Sequence, residues 1–146
     1  MEPDVHCVGR YVRAPAEAAY RFLTDPIALG RWSLGCFDVA PDPATGLHRG
    51  ESLFDGAPGW LRIAGDPATG LVDFHVGAPD DLRPRIFARV VDGAVLGRPG
   101  ECLVVLTAMR AAGMADARWA RLKASHEAEI WLIAEQIETR EGRAGC

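Results

Sequence analysis

His126 is the position in this chain where residue type and spacing most suggest chemistry. It falls within Trp119, Leu122, His126, Ile130, Ile133 and Ile137, which recur at three- and four-residue steps, the period of a helix with one apolar face. An imidazole in such a stripe is expected to be buried and neutral near pH 7, able to hold a ligand hydroxyl or carbonyl or to transfer a proton. The same placement fits a core histidine satisfied by a backbone carbonyl or water. Arg10 is the second candidate, because it shares strand parity with Val8 and Val12. A guanidinium there can orient a carboxylate or enolate; it equally fits a place near the sheet end or a pair with an acid such as Asp73. Tyr11 and Tyr20 carry hydroxyls toward the same region, although packing alone accounts for both. Trp32 reads as a plug on the sheet. Asp73 and His75, two residues apart on one strand, have acid–base spacing, but their parity is outward and fits a solvated face.

Other catalytic signatures are missing. The chain contains no G-x-S-x-G, P-loop, G-x-G-x-x-G or H-E-x-x-H motif, so hydrolysis through a nucleophilic serine, nucleotide binding and zinc chemistry have no support. Cys7, Cys36, Cys102 and Cys146 include no C-x-x-C pair, and they read as reduced thiols. Together with His6, His48, His75 and His126 they show no ligand-like spacing, so neither a metal nor a cofactor is expected.

These side chains must be positioned by a single domain spanning 1–146. A chain of 146 residues, 49% hydrophobic and 25% charged, buries roughly 68–70% of its unfolded surface and can build a core without staples. The net charge of −4 and the scatter of arginines among acids argue against nucleic acid as a partner. An apolar run such as Cys102 to Leu106, which no other run exceeds, is far short of the ~20 residues of a spanning helix. Met1-Glu2-Pro3-Asp4 is unlike the basic, then apolar, opening of a signal peptide, so a cytoplasmic location is expected.

Val5 to Arg13 alternates as a strand and stops at Ala14-Pro15, where proline suits a helix start. A helix through Ala16, Ala19, Phe22 and Leu23 should end at Asp25-Pro26, followed by a short turn through Ile27, Leu29 and Trp32. Strands are expected near Cys36–Ala40, Glu51–Asp55, Trp60–Ala64, Leu71–Val76, Arg85–Val91 and Glu101–Met109. One hexapeptide, Asp42-Pro43-Ala44-Thr45-Gly46-Leu47, recurs as Asp66-Pro67-Ala68-Thr69-Gly70-Leu71. Its proline and glycine are those of a hairpin turn. The last helix should run from about 115 to 140. Arg118, Arg121 and Lys123 crowd its first turns, a placement the helix dipole disfavours unless something anionic lies nearby.

The order strand, two short helices, six strands and a long helix, with Val12-Arg13-Ala14-Pro15-Ala16-Glu17, Leu23-Thr24-Asp25-Pro26 and Trp32, resembles the START-like, polyketide cyclase/dehydrase (SRPBCC) superfamily. Gly100 to Met109 and Glu129 to Glu138 resemble that superfamily's last strand and the end of its last helix. The resemblance implies an α+β helix-grip fold, in which a curved seven-stranded antiparallel sheet of order β-α-α-β6-α wraps the C-terminal helix. It also implies a cavity for apolar or aromatic small molecules, since one helix on a curved sheet leaves space between them. Strand parity nominates Val72, Phe74, Val76, Ile86, Ala88 and Val90 as inward residues, with Arg85, Phe87 and Arg89 outward, unless a bulge inverts the choice. Trp119, Leu122, His126 and Ile130 would face them from the helix.

The first functional expectation is a binding protein for a lipid, quinone or polyketide-like molecule. The alternatives are a cyclase or aromatase assisted by His126 or Arg10, and an interaction module whose cavity is filled by its own side chains. Trp60, Phe87 and the doubly apolar strand at Cys102–Leu106 raise the further expectation of a homodimer across the outer sheet.

Overall fold

Alternation after Asp4 produces β1 (Val5–Val12), whose even-numbered side chains turn inward toward the fully buried Val12. The computed structural model describes residues 4–144. Pro15, with φ −64° and ψ 150°, precedes α1 (Ala16–Thr24), which buries Ala18, Ala19, Phe22 and Leu23. Asp25 ends that helix and caps α2 (Pro26–Leu29) by accepting the Ile27 N–H at 2.9 Å. β2 (Phe37–Asp42), β3 (Leu47–Glu51), β4 (Pro58–Asp66), β5 (Leu71–Ala78), β6 (Asp81–Asp92) and β7 (Cys102–Met109) follow, and α3 (Asp116–Ala144) completes the described chain.

All seven strands form one antiparallel sheet in the order β1-β7-β6-β5-β4-β3-β2. The first strand thus pairs with the last, leaving β1 and β2 as the two edges. This is the expected α+β, helix-grip arrangement. Ile130, Ile133, Ala134 and Ile137 of α3 join Phe22, Leu23, Val72, Phe74, Ala88 and Leu106 in the main core. Trp119 lies in a smaller cluster with Ala108 and Met114. Glu138 fastens the far end of α3 to β1 by accepting the Arg13 N–H at 2.9 Å and its guanidinium at 3.3 Å.

The repeated hexapeptide forms two matching hairpin turns. In each, the aspartate carboxylate accepts an N–H two residues on, and glycine closes the turn at φ 73° with its N–H donating 2.9 Å to the aspartate carbonyl. The first turn also moves the third strand. It occupies Leu47–Glu51, directly after the turn, and the stretch expected as strand at Glu51–Asp55 is mostly loop. There Ser52 accepts the Phe54 N–H, Asp55 accepts the Ala57 N–H, and Gly56 takes φ 74°. Such local bonds compete with a sheet ladder. The last helix runs past the expected 140 through Gly142, which an exposed end tolerates for about 1 kcal/mol.

Gly30 lets α2 meet β2. Its carbonyl accepts the Asp38 N–H at 2.8 Å, and a Cβ there would abut the Val39 backbone N and lie 2.8 Å from Val39 Cβ. Gly30→Ala is therefore expected to destabilise by about 1–3 kcal/mol, as overpacking does. A urea midpoint equal to that of the parent would contradict this close approach.

Candidate functional site

Between the first half of α3 and the β4–β6 part of the sheet lies a cleft of about 590 Å³, open on one side. The 33–36 segment and the 52–58 loop form its mouth, and the second of these brings Phe54 and Asp55 to the rim. Its apolar wall includes Val76, Ile86 and Leu122, while His126, Glu129, Ser125, Cys36 and Arg85 supply polar groups. A second hollow of about 570 Å³ lies behind α1, lined by Tyr20, Arg89 and Val95 among others. Among the described residues, none of the buried polar ones, Thr107, Ser125, His126 and Glu129, lines it.

His126 is 4% exposed, and its Nδ1 has no hydrogen-bond partner. Burial, then the nearby His6 and Arg85, push its pKa down to about 4, so the ring is neutral at physiological pH. The His6 ring lies 6.0 Å away, tilted by 54°, and its Nε2 sits 3.5 Å from Glu127. One helical turn beyond His126, Glu129 is also 4% exposed and accepts the Leu34 N–H at 3.1 Å. Burial pushes its pKa up to about 8, against the pull of that bond. A carboxyl that keeps its proton and an imidazole that stays neutral therefore line one cleft. Such a pair offers a proton donor near neutrality, Glu129, beside an uncharged imidazole that can hydrogen-bond a ligand.

Arg85 corrects the parity expectation. Phe74 pairs with Ile86 and Val76 pairs with Arg83, so two steps along β5 match three along β6. The extra residue is a bulge beside Pro84, and a bulge re-aims side chains. Ile86 and Arg85 consequently both line the cleft, although strict alternation places Arg85 outside. Its Nη1 is buried without a hydrogen-bond partner, and burial followed by the nearby Arg118 lowers its pKa.

The remaining candidates are dispersed. Val76, Ile86, Leu122 and His126 line the cleft, while Val72, Phe74, Ala88, Val90 and Ile130 belong to the main core and Trp119 to the smaller cluster. Arg10 shares the inner face of β1, but its guanidinium lies 3.2 Å from the ring centroid of Trp131 on α3 and it does not line the cleft. Asp73 forms no ion pair with it among the described residues. Trp32 packs edge-on to Phe74 at 5.8 Å. Trp60, read as outward, is satisfied within the chain: its Nε1 donates to Asp42 at 2.8 Å and Arg49 lies 5.6 Å from its ring. Among the described residues no cluster of His, Cys, Asp and Glu could hold a metal, and no helix is long and apolar enough to cross a membrane.

Sequence reasoning missed Glu129 and Arg85. Glu129 does stand three residues after His126 and directly before Ile130, and that signal was available. Arg85 had only the adjacent Pro84, which disfavours a regular central ladder.

No family model and no curated protein matches the chain. Solved structures do. The Zhui aromatase/cyclase from Streptomyces sp. R1128 superposes with a TM-score of 0.62 at 18% identity, over 93% of this chain and 95% of that one. The chain has the START-like helix-grip fold. A START superfamily protein from Mycobacterium smegmatis matches this chain with a TM-score of 0.56 at 15% identity, covering 96% and 98%. The Aha1 dimer from Colwellia psychrerythraea matches with a TM-score of 0.65 at 14% identity, covering 92% and 96%.

Proposed function

We propose that this START-like chain binds a hydrophobic small molecule that carries a polar group, in the cleft between sheet and α3. The observation that carries this reading is the convergence of His126, Glu129 and Arg85 on a cleft of about 590 Å³ whose wall also presents the apolar Val76, Ile86 and Leu122. That size and that mixture, apolar walls with a few placed polar groups, are typical of small-molecule sites. The aromatase/cyclase and START superfamily neighbours support it at the level of fold. The cleft also counts against a module whose cavity is filled by its own side chains, since Trp32 and Phe74 pack elsewhere than Trp119.

A second reading, an enzyme of the polyketide cyclase or aromatase type, is favoured by one further observation. Glu129 holds a proton near neutrality while the neutral His126 ring leaves Nδ1 without a partner, so the cleft sets a proton donor beside a hydrogen-bonding imidazole, an arrangement that suits protonation of a carbonyl chain.

Native mass spectrometry of the protein as purified from cells, followed by denaturation, should release a bound compound and name its chemical class. The same spectrum reads the oligomeric state, with a dimer expected if a second copy covers the half-buried Phe87, Leu103 and Val105 of the outer face. With the ligand in hand, His126→Leu is expected to weaken binding of its polar group about tenfold, the loss of one hydrogen bond to a neutral partner. An unchanged affinity together with unchanged turnover would remove His126 from the site.

A further inference from the structure

Three arginines meet on the cleft. Arg85 enters from the β6 bulge, and Arg118 and Arg121 enter from the first turns of α3. Elsewhere on the protein, Arg13, Arg49, Arg83, Arg98 and Arg110 each pair with a carboxylate. Among the described residues Arg85 and Arg118 have no such pair, and Arg121 rests on the Phe54 ring at 4.6 Å.

This concentration of charge is costly as it stands. Burial penalises the Arg85 guanidinium, and Arg118 is near enough to repel it. Its Nη1 is buried with no acceptor, and a buried donor without a partner has lost its bonds to water and gained none in return. The helix dipole adds to the expense, because the beginning of a helix disfavours cations. Glu129, the buried acid on the same wall, does not relieve it, since its carboxyl stays protonated at neutral pH. Asp55, exposed at the rim, is near enough to Arg121 to be held ionised partly by its charge, but the Arg85 guanidinium feels burial and Arg118 and gains no such relief.

One bound negative charge resolves all of these at once. We propose that the cleft selects amphiphiles ending in an anion, a carboxylate or a phosphate, which Arg85 receives at the bulge while Arg118 and Arg121 share its charge from α3. The apolar remainder of the ligand lies along Val76, Ile86 and Leu122. This inference rests on the ligand-binding reading and names the class of ligand. A guanidinium fork matches both anions with paired hydrogen bonds, so the geometry specifies the charge and leaves its source to experiment.

The test compares three probes of equal chain length, decanoate, decyl phosphate and decan-1-ol, by titration calorimetry at low salt. At least one anion is expected to bind ten-fold or more tightly than the alcohol, and the tighter anion identifies carboxylate or phosphate as the recognised group. Arg85→Gln should bring the ratio close to one, while Arg62→Gln, on an exposed position of β4 away from the cleft, should leave it intact. Arg118→Gln, at an exposed helix position, should reduce the ratio several-fold, and it serves as the variant if Arg85→Gln does not fold. Equal binding of all three probes overturns the anion inference and leaves ligand binding standing. If none of the three binds, the ligand-binding reading falls and the inference with it.

Discussion

Glu129→Gln should stabilise the protein at pH 8 by about 2–4 kcal/mol, and it should reverse the way stability changes with pH. An unfolded glutamate titrates near 4.5 and the folded one at about 8, so between those values the folded state holds a proton that the unfolded chain has released. Stability is full below pH 4.5 and falls as pH rises toward 8, at about 1.4 kcal/mol per unit. His126 acts in the opposite sense. Its pKa drops from 6.5 to about 4 on folding, so its contribution is full above pH 6.5 and is lost as pH falls toward 4. In the parent protein the two slopes oppose between pH 4.5 and 6.5 and stability is nearly level. From 6.5 to 8 Glu129 acts alone, and about 2 kcal/mol is lost.

Glutamine retains a carbonyl oxygen to accept the Leu34 N–H and has no proton to lose. In Glu129→Gln the His126 slope is therefore unmasked: stability climbs from pH 4 to 6.5 and holds level to pH 8. Asp42, Asp81 and Glu138 are all held below their ordinary carboxylate values, so their influence is confined to more acid solution. Urea denaturation at pH 5, 6.5 and 8 measures each slope. A parent protein equally stable at pH 6.5 and 8 would show that the Glu129 carboxyl is not buried as described.

Phe74→Ala carries a comparably large effect, an expected loss of about 3–5 kcal/mol. The ring is 1% exposed and meets Trp32 edge-on at 5.8 Å. Trp32 is itself 4% exposed, with an Nε1 that has no hydrogen-bond partner, so packing alone holds its indole. Truncation at residue 74 leaves a cavity and removes that support. Phe74 also pairs with Ile86 at the start of the bulge, so a shift there displaces Arg85. The variant should therefore weaken binding of an anionic probe as well as lower the denaturation midpoint. Phe74→Leu, which conserves much of the volume, is expected to cost no more than about 1.5 kcal/mol. An alanine variant within 1 kcal/mol of the parent would mean that the site collapses freely and that β5 does not brace the bulge.

Much of the architecture was legible because repeating patterns encode it locally. The three- and four-residue stripe from Trp119 to Ile137 announced α3, and Asp25-Pro26 announced the break between α1 and α2. The two hexapeptides announced their turns, in which an aspartate carboxylate and a glycine do the same work twice. The misplaced third strand had an equally local cause. Ser52 and Asp55 bond neighbouring N–H groups, and the apolar pair Leu53-Phe54 between them masked that preference. His126 could be nominated for the site from periodicity alone, whereas Glu129 reads in sequence as one more acid on a charged helix.

By itself, then, the sequence determined the order of elements, the antiparallel sheet, the buried face of α3 and the presence of a histidine on that face. Each depends on side-chain period, proline placement or turn chemistry, which act over a few residues. Tertiary structure decided which groups meet. One extra residue in β6 turned Arg85 into the cleft, the docking of α3 buried Glu129 beside His126 and raised its pKa, and the same docking brought Arg118 close to Arg85. These outcomes depend on registers and burials set by strands and helices far apart in the chain, and a one-residue shift in a ladder reverses a side chain's face without leaving a periodic trace.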